Sequence, residues 1–158
     1  MPKIDHTKQH VAIASDPQLR ALEKRVAEIV GAQFHIAPEF FVPPSRRSNS
    51  LRTALRSICM YVLYTNARLL VRQCAAAYGH STHKHYGGHS NIALQSVRRV
   101  EGWRDDESFD ELVSKIETKC GKVVKTFHAD CAKRFASQST KVKEARPTKP
   151  KRRRKAHA

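Results

Sequence analysis

Apolar residues recur three and four positions apart in six stretches between Leu19 and Phe135, and no stretch sustains an alternation of apolar with polar residues. A period near 3.6 buries one face of a helix, whereas a half-buried strand needs a period of two. The pattern predicts an all-α chain. Ser15-Asp16-Pro17 reads as the start of the first helix, a capping side chain followed by proline in the first turn. Leu19, Leu22, Val26 and Ile29 mark its buried face, with Gly31 as the expected stop. The connector from Gln33 to Pro44 carries Phe34, Ile36, Phe40 and Phe41, apolar enough to pack back on the domain, and Pro43-Pro44 ends it as an extended piece.

A second helix follows on Leu51, Leu55, Ile58, Val62 and Leu63, with a break near Thr65-Asn66. Leu69, Leu70, Cys74, Ala77 and Tyr78 predict a short helix at 68–78, closed by Gly79. Residues 79–89, GHSTHKHYGGH, have no period and read as a loop. Ser90 or Asn91 then caps a helix through Glu101, with Gly102 as its stop. Its inner face is Ala93, Leu94, Val97 and Val100, and its outer face Asn91, Gln95, Arg98 and Arg99. Asp105-Asp106 opens the next helix, where acids suit the macrodipole, and Phe109, Leu112, Val113 and Ile116 are its stripe. Gly121 is expected to break it. A last helix at about 122–137 carries Val124, Phe127, Cys131 and Phe135.

Charge narrows the function classes. Thirty Lys and Arg stand against fourteen Asp and Glu, a formal charge of +16 on 158 residues. Half of that excess falls on 141–158, KVKEARPTKPKRRRKAHA, which has two prolines and little to bury. This composition predicts a disordered basic tail able to hold phosphates, Arg152, Arg153 and Arg154 among its cations. KPKRRRK would also suit a nuclear-import signal, and the plainest reading of the tail is solubility. The expected organisation is a flexible 1–14, a domain at 15–120, an accessory helix at 121–140 and the tail. Cys59, Cys74, Cys120 and Cys131 are far apart with no CxxC pair, which points to core thiols and a reducing, cytoplasmic setting. No run of about 18 apolar residues is present, and the N-terminal residues lack a secretory signal's apolar stretch. A polyanion is the expected partner, nucleic acid before an anionic membrane surface.

The helices at 68–78 and 90–101 have a helix-turn-helix layout: short helix, glycine-containing loop, then a helix with a polar-to-basic outer face. Asn and Gln can each make two hydrogen bonds to an adenine edge, and Arg to guanine. The base-edge candidates are therefore Ser90, Asn91, Gln95 and Arg98, with His89 beside them. Arg46, Arg47, Arg52, Arg56, Lys84 and Arg99 are phosphate candidates, and Arg52 could instead reach an adjacent minor groove. Any solvent-facing helix can carry the same residue types, so RNA, duplex of any sequence, or a protein partner stay open. His80, His83, His85 and His89 invite zinc, but structural zinc sites usually include cysteine, so phosphate hydrogen bonding is the preferred reading and no metal or cofactor is expected. The loop holds no acid, so a metal nuclease lacks its carboxylates and no enzyme is expected.

Residues 19–117 resemble the C-terminal DNA-binding domain of the bacterial replication initiator DnaA, a Trp-repressor-like helix-turn-helix. The likeness is carried in order by VAEIVGAQFHI (26–36), SRRS (45–48), LRSICMYVL (55–63), AAAYG (75–79), GGHSNIALQSVRRVE (87–101) and DDESFDEL (105–112). Arg56, Ile58, Met60 and Tyr61 match the family's "ARQIAMYL" helix, and Arg98 to Glu101 match the end of its recognition segment. The family's Arg-Asp-His-Thr-Thr base-reading cluster is not intact here. Its positions fall on His89, Ser90 and Asn91, or one residue later with Ile92. The loop before it is about seven residues longer, and there is no GxxxxGK[ST] phosphate loop, hence no nucleotide-driven assembly.

The resemblance implies a free-standing domain that binds double-stranded DNA through the major groove, as a transcription regulator or accessory replication factor of a bacterium or phage. The alternative is a sequence-independent nucleic-acid-packaging or RNA-binding protein. Phe127, Cys131 and Phe135 would form the seam of a homodimer or of a protein-interaction module.

Overall fold

The computed structural model of the 158-residue chain describes residues 16–42, 49–78 and 89–144, and among these every regular element is helical. In order they are α1 (Pro17–Phe34), a 3-10 turn (Pro38–Phe40), α2 (Ser50–Thr65), α3 (Val71–Ala77), α4 (His89–Trp103) and α5 (Glu107–Glu144). The all-α expectation is met. The expected flexible 1–14 and the tail beyond 144 lie outside the described residues.

Helix starts follow the capping residues. The Asp16 side chain accepts from Gln18 N at 3.0 Å with Pro17 in the first turn, and Asn49 accepts from Leu51 N at 2.8 Å. Asp106 accepts from Phe109 N at 3.0 Å and from the Ser108 hydroxyl, and Glu107 and Asp110 follow in the first turn.

Two glycines expected to end helices do not. α1 passes through Gly31 to Phe34 and is capped by His35 in the left-handed conformation, φ 56°. Ile36 N then donates to Gly31 O at 2.9 Å. Gly31 is needed because the chain folds back onto it: a Cβ there would lie 2.4 Å from the Ile36 carbonyl oxygen. α5 likewise runs through Gly121, where a Cβ meets nothing within 4 Å, so the two helices expected at 106–120 and 122–137 are one helix of 38 residues. Glycine weakens a helix by about 1 kcal/mol but leaves its hydrogen bonds in place, and the apolar residues on both sides of it, Ile116, Cys120 and Val124, are buried. Residues 141–144, expected in the tail, belong to α5. Gly102 stands one residue before the end of α4.

α2 is the central helix. Ser57 to Leu63 are buried without interruption, so it has no solvent face over that stretch, where a single apolar stripe was expected. α1, α3 and α4 pack around it, and α5 lies along α1. Lys119 Nζ reaches Gln33 Oε1 at 2.8 Å near one end, and Arg134 reaches Gln18 Oε1 at 2.8 Å near the other, so α1 and α5 run antiparallel. The connector packs back as expected, with Phe41 fully buried. Leu51 and Leu70, expected in buried stripes, are 43% and 54% exposed, since each stands at a helix start beyond the reach of its neighbours. Arg104 ties the α4–α5 turn to the core. It donates to the Tyr61 hydroxyl at 2.7 Å, to Glu117 at 3.2 Å, and to Asp110. Trp103 folds back and meets Phe109 edge to face, centroids 5.6 Å apart.

Between α1, α2 and α3 the core holds a polar cluster. Burial pushes the Cys59 and Cys74 thiols up to about 12 and Cys120 to about 11, so all three stay protonated near neutrality. The Tyr78 hydroxyl is buried beside Cys59 and makes no well-formed hydrogen bond among the described residues. Glu23, half-buried against Cys74 and Tyr78, is raised by burial to about 7, with Arg20 opposing the rise. A carboxyl whose folded pKa exceeds its unfolded value stabilises the fold while protonated. Stability should therefore fall as pH rises from about 4.5 to about 7 and stay low above that. Glu23→Gln should flatten this slope and raise stability at pH 8 by roughly 2 kcal/mol, allowing for solvent screening of a half-buried group. Denaturant melts at a series of pH values check it. An unchanged slope in the variant contradicts the assignment.

Candidate nucleic-acid interface

α4 splits into two faces. Ala93, Ser96, Val97 and Val100, spaced three and four apart, are buried against α2 and α3. Ile92, Gln95, Arg98, Arg99 and Glu101 are exposed. The expected inner face is met at Ala93, Val97 and Val100. Leu94 is only half-buried, and Ser96 takes a buried place not anticipated for it. Its hydroxyl accepts from Ser57 Oγ at 3.4 Å, so a polar pair sits where α2 crosses α4. Serine at both positions is small enough for close helix approach, and nothing in the apolar period singles it out.

Of the base-edge candidates, Gln95 and Arg98 project from the exposed face. His89, Ser90 and Asn91 form the first turn of α4, but their side chains lie outside the described set. Ile92, 38% exposed, lies on the same side as Gln95 and adds an apolar contact beside the amide.

The phosphate candidates are placed unequally. Arg99 is exposed and reaches Ser57 Oγ at 3.3 Å, which anchors its guanidinium where α2 crosses α4. Arg56, next to Ser57 on α2, donates its Nε to the Phe41 carbonyl and so braces the connector; its pKa is lowered by partial burial and by neighbouring Arg52. Arg52 stacks on the Phe40 ring at 4.5 Å, and its buried Nε meets no hydrogen-bond partner among the described residues. Arg52, Arg56 and Arg99 thus come from two adjacent helices, and each is held by the fold. Arg46, Arg47, Lys84, Arg152, Arg153 and Arg154 lie outside the described residues, as do the loop histidines His80, His83 and His85.

The arrangement is a ridge of amide, guanidinium and one apolar side chain on a 15-residue helix, with fixed cations beside it. Such a ridge can pair with planar hydrogen-bonding edges and with phosphate oxygens. Among the described residues no helix is long and apolar enough to cross a membrane, and no His, Cys, Asp or Glu cluster is arranged to hold a metal.

No protein-family model and no curated protein matches the chain. Among solved structures, the crystal structure of a DNA replication initiation factor is similar in fold, with a TM-score of 0.54 and 19% identity. The match covers 68% of this chain and 30% of that one. At this identity the likeness is one of fold.

Proposed function

We propose that the chain is a sequence-specific double-stranded DNA-binding protein rather than an enzyme, one that inserts the exposed face of α4 into the major groove. α3 and α4 would serve as the two helices of a helix-turn-helix. The observation that carries this reading is the exposed row of Gln95 and Arg98 on a helix whose other side is locked into the core. A net charge of +16 and the likeness in fold to a DNA replication initiation factor support it. Gln95 and Arg98, with Asn91 and Ser90 and with His89 beside them, read base edges. Arg99 and Arg52 hold phosphate. Arg56 acts chiefly by positioning the connector. The biological setting is control of replication or of transcription in a bacterium or phage.

Selection from a random duplex pool, followed by affinity measurement, tests the reading. The pool should converge on one site. Gln95→Ala and Asn91→Ala should each weaken that site by roughly 1–3 kcal/mol and leave random duplex nearly unchanged. Equal losses on both would remove α4 from the groove. A pool that fails to converge, or a preference for RNA or single strands, would favour the sequence-independent reading that the basic C-terminus also suits.

A further inference from the structure

α2 and α4 cross at two serines. Ser57 is fully buried and Ser96 nearly so, and, tyrosine and cysteine apart, they are the two buried polar residues among the described ones. Apolar packing gives no reason for a hydroxyl at either place. Alanine is of similar size and is the better helix former, and replacing both partners of a buried hydrogen-bonded pair by apolar groups of the same shape is close to neutral for stability. What a hydroxyl adds is one proton and two lone pairs. Ser57 directs its proton inward, to the Thr53 carbonyl one turn back at 2.9 Å, with Ser96 Oγ beside it at 3.4 Å. Its oxygen is left to accept, and Arg99 Nη1 donates to it at 3.3 Å. Arg99 is itself exposed. A guanidinium carries five N–H donors in a planar fork, so one donor held by Ser57 leaves the others for solvent or for an anion. Arg98, one position earlier, stands about 100° round the helix, on the outer face with Gln95. Of these two neighbouring arginines, Arg99 is tethered by its tip to α2, where Arg52 and Arg56 stand just N-terminal to Ser57.

We propose that Ser57 is a positioning residue for phosphate binding: it holds the Arg99 guanidinium ordered at the edge of the α4 ridge before DNA arrives. A long flexible side chain loses rotamer freedom when it is fixed in a complex, and a contact already made in the free protein removes part of that cost. Ser96 keeps the Ser57 proton turned inward, so that the lone pairs face the guanidinium. The inference rests on the reading of α4 as the groove helix, and adds to it a buried residue that touches no DNA itself.

Ser57→Ala in the full chain tests this, on the duplex that the chain selects and on random duplex. It should weaken both alike, by about three- to tenfold, and leave the slope of log affinity against log salt unchanged, because Arg99 still reaches phosphate and still releases counterions. Arg99→Ala should also weaken both alike, but flatten the slope by about 0.9. In an Arg99→Ala background Ser57→Ala should then change nothing, whereas a serine that merely supported the fold would cost affinity in both backgrounds. Heteronuclear NMR of the free protein gives a readout that needs no DNA: the Arg99 side-chain N–H signals, slow to exchange in the wild type, should broaden in Ser57→Ala. Ser57→Ala combined with Ser96→Ala removes both hydroxyls and should keep helical content and unfolding midpoint near those of the wild type, so that its loss of affinity is not a loss of fold. Equal losses from Ser57→Ala with and without Arg99 overturn the proposal, as do Arg99 signals that ignore the substitution. A loss in Arg99→Ala with none in Ser57→Ala removes the positioning role and leaves the DNA reading standing. If Arg99→Ala leaves binding to every duplex unchanged, this edge of α4 is not in the interface, and the proposal falls with it.

Discussion

Truncation after Glu144 should weaken binding to every duplex alike and flatten its salt dependence. The 14 residues removed hold seven Lys and Arg and no acid, while α5 ends at Glu144 and stays whole. Each phosphate contact releases condensed counterions and contributes about 0.9 to the slope of log affinity against log salt. Seven such contacts would steepen the slope by about six, worth up to three to four decades of affinity between about 50 and 200 mM salt. The ratio of specific to random binding should not move, because phosphates carry no sequence. Titrations of both chains across salt check it. A truncated chain with an unchanged slope would remove the C-terminus from the interface, and one that lost discrimination would mean that it reads bases.

Gly31→Ala should destabilise the fold by about 2–3 kcal/mol, although alanine is the better helix former by about 1 kcal/mol. The added Cβ would stand 2.4 Å from the Ile36 carbonyl oxygen and 3.5 Å from both the Phe41 ring and Pro38. The carbonyl cannot retreat easily. His35 caps α1 in the left-handed conformation, Ile36 N is bonded to Gly31 O at 2.9 Å, and Phe41 is fully buried. Moving the turn would also disturb the Phe41 carbonyl that receives Arg56 and the Phe40 ring under Arg52, so DNA affinity should fall as well. Gly121→Ala is the control of opposite sign. Its Cβ meets nothing within 4 Å, and the variant should gain up to about 1 kcal/mol. Chemical denaturation of the three chains reads both effects. Equal behaviour of the two variants would mean that the close approach at Gly31 is absent.

Much of this molecule is set by local chemistry. Helical spacing of Leu, Val and Ile makes the chain all-α, and Asp16, Asn49 and Asp106 start helices because an Asx side chain satisfies free backbone N–H groups in any surroundings. The two faces of α4 follow from the same spacing, which is why Gln95 and Arg98 are legible as exposed before any coordinates. What required the tertiary structure is whatever depends on a neighbour distant in sequence. Glycine has the same local preference at 31 and at 121, yet one is pinned beneath a returning carbonyl and the other stands in open space. Burial all round α2, the Ser57–Ser96 pair beneath Arg99, and the holding of Arg52 and Arg56 by the connector arise only when helices far apart in the chain meet. Periodicity specifies which side of a helix is apolar, but only packing decides how far along the helix that side is covered, as Phe135 demonstrates.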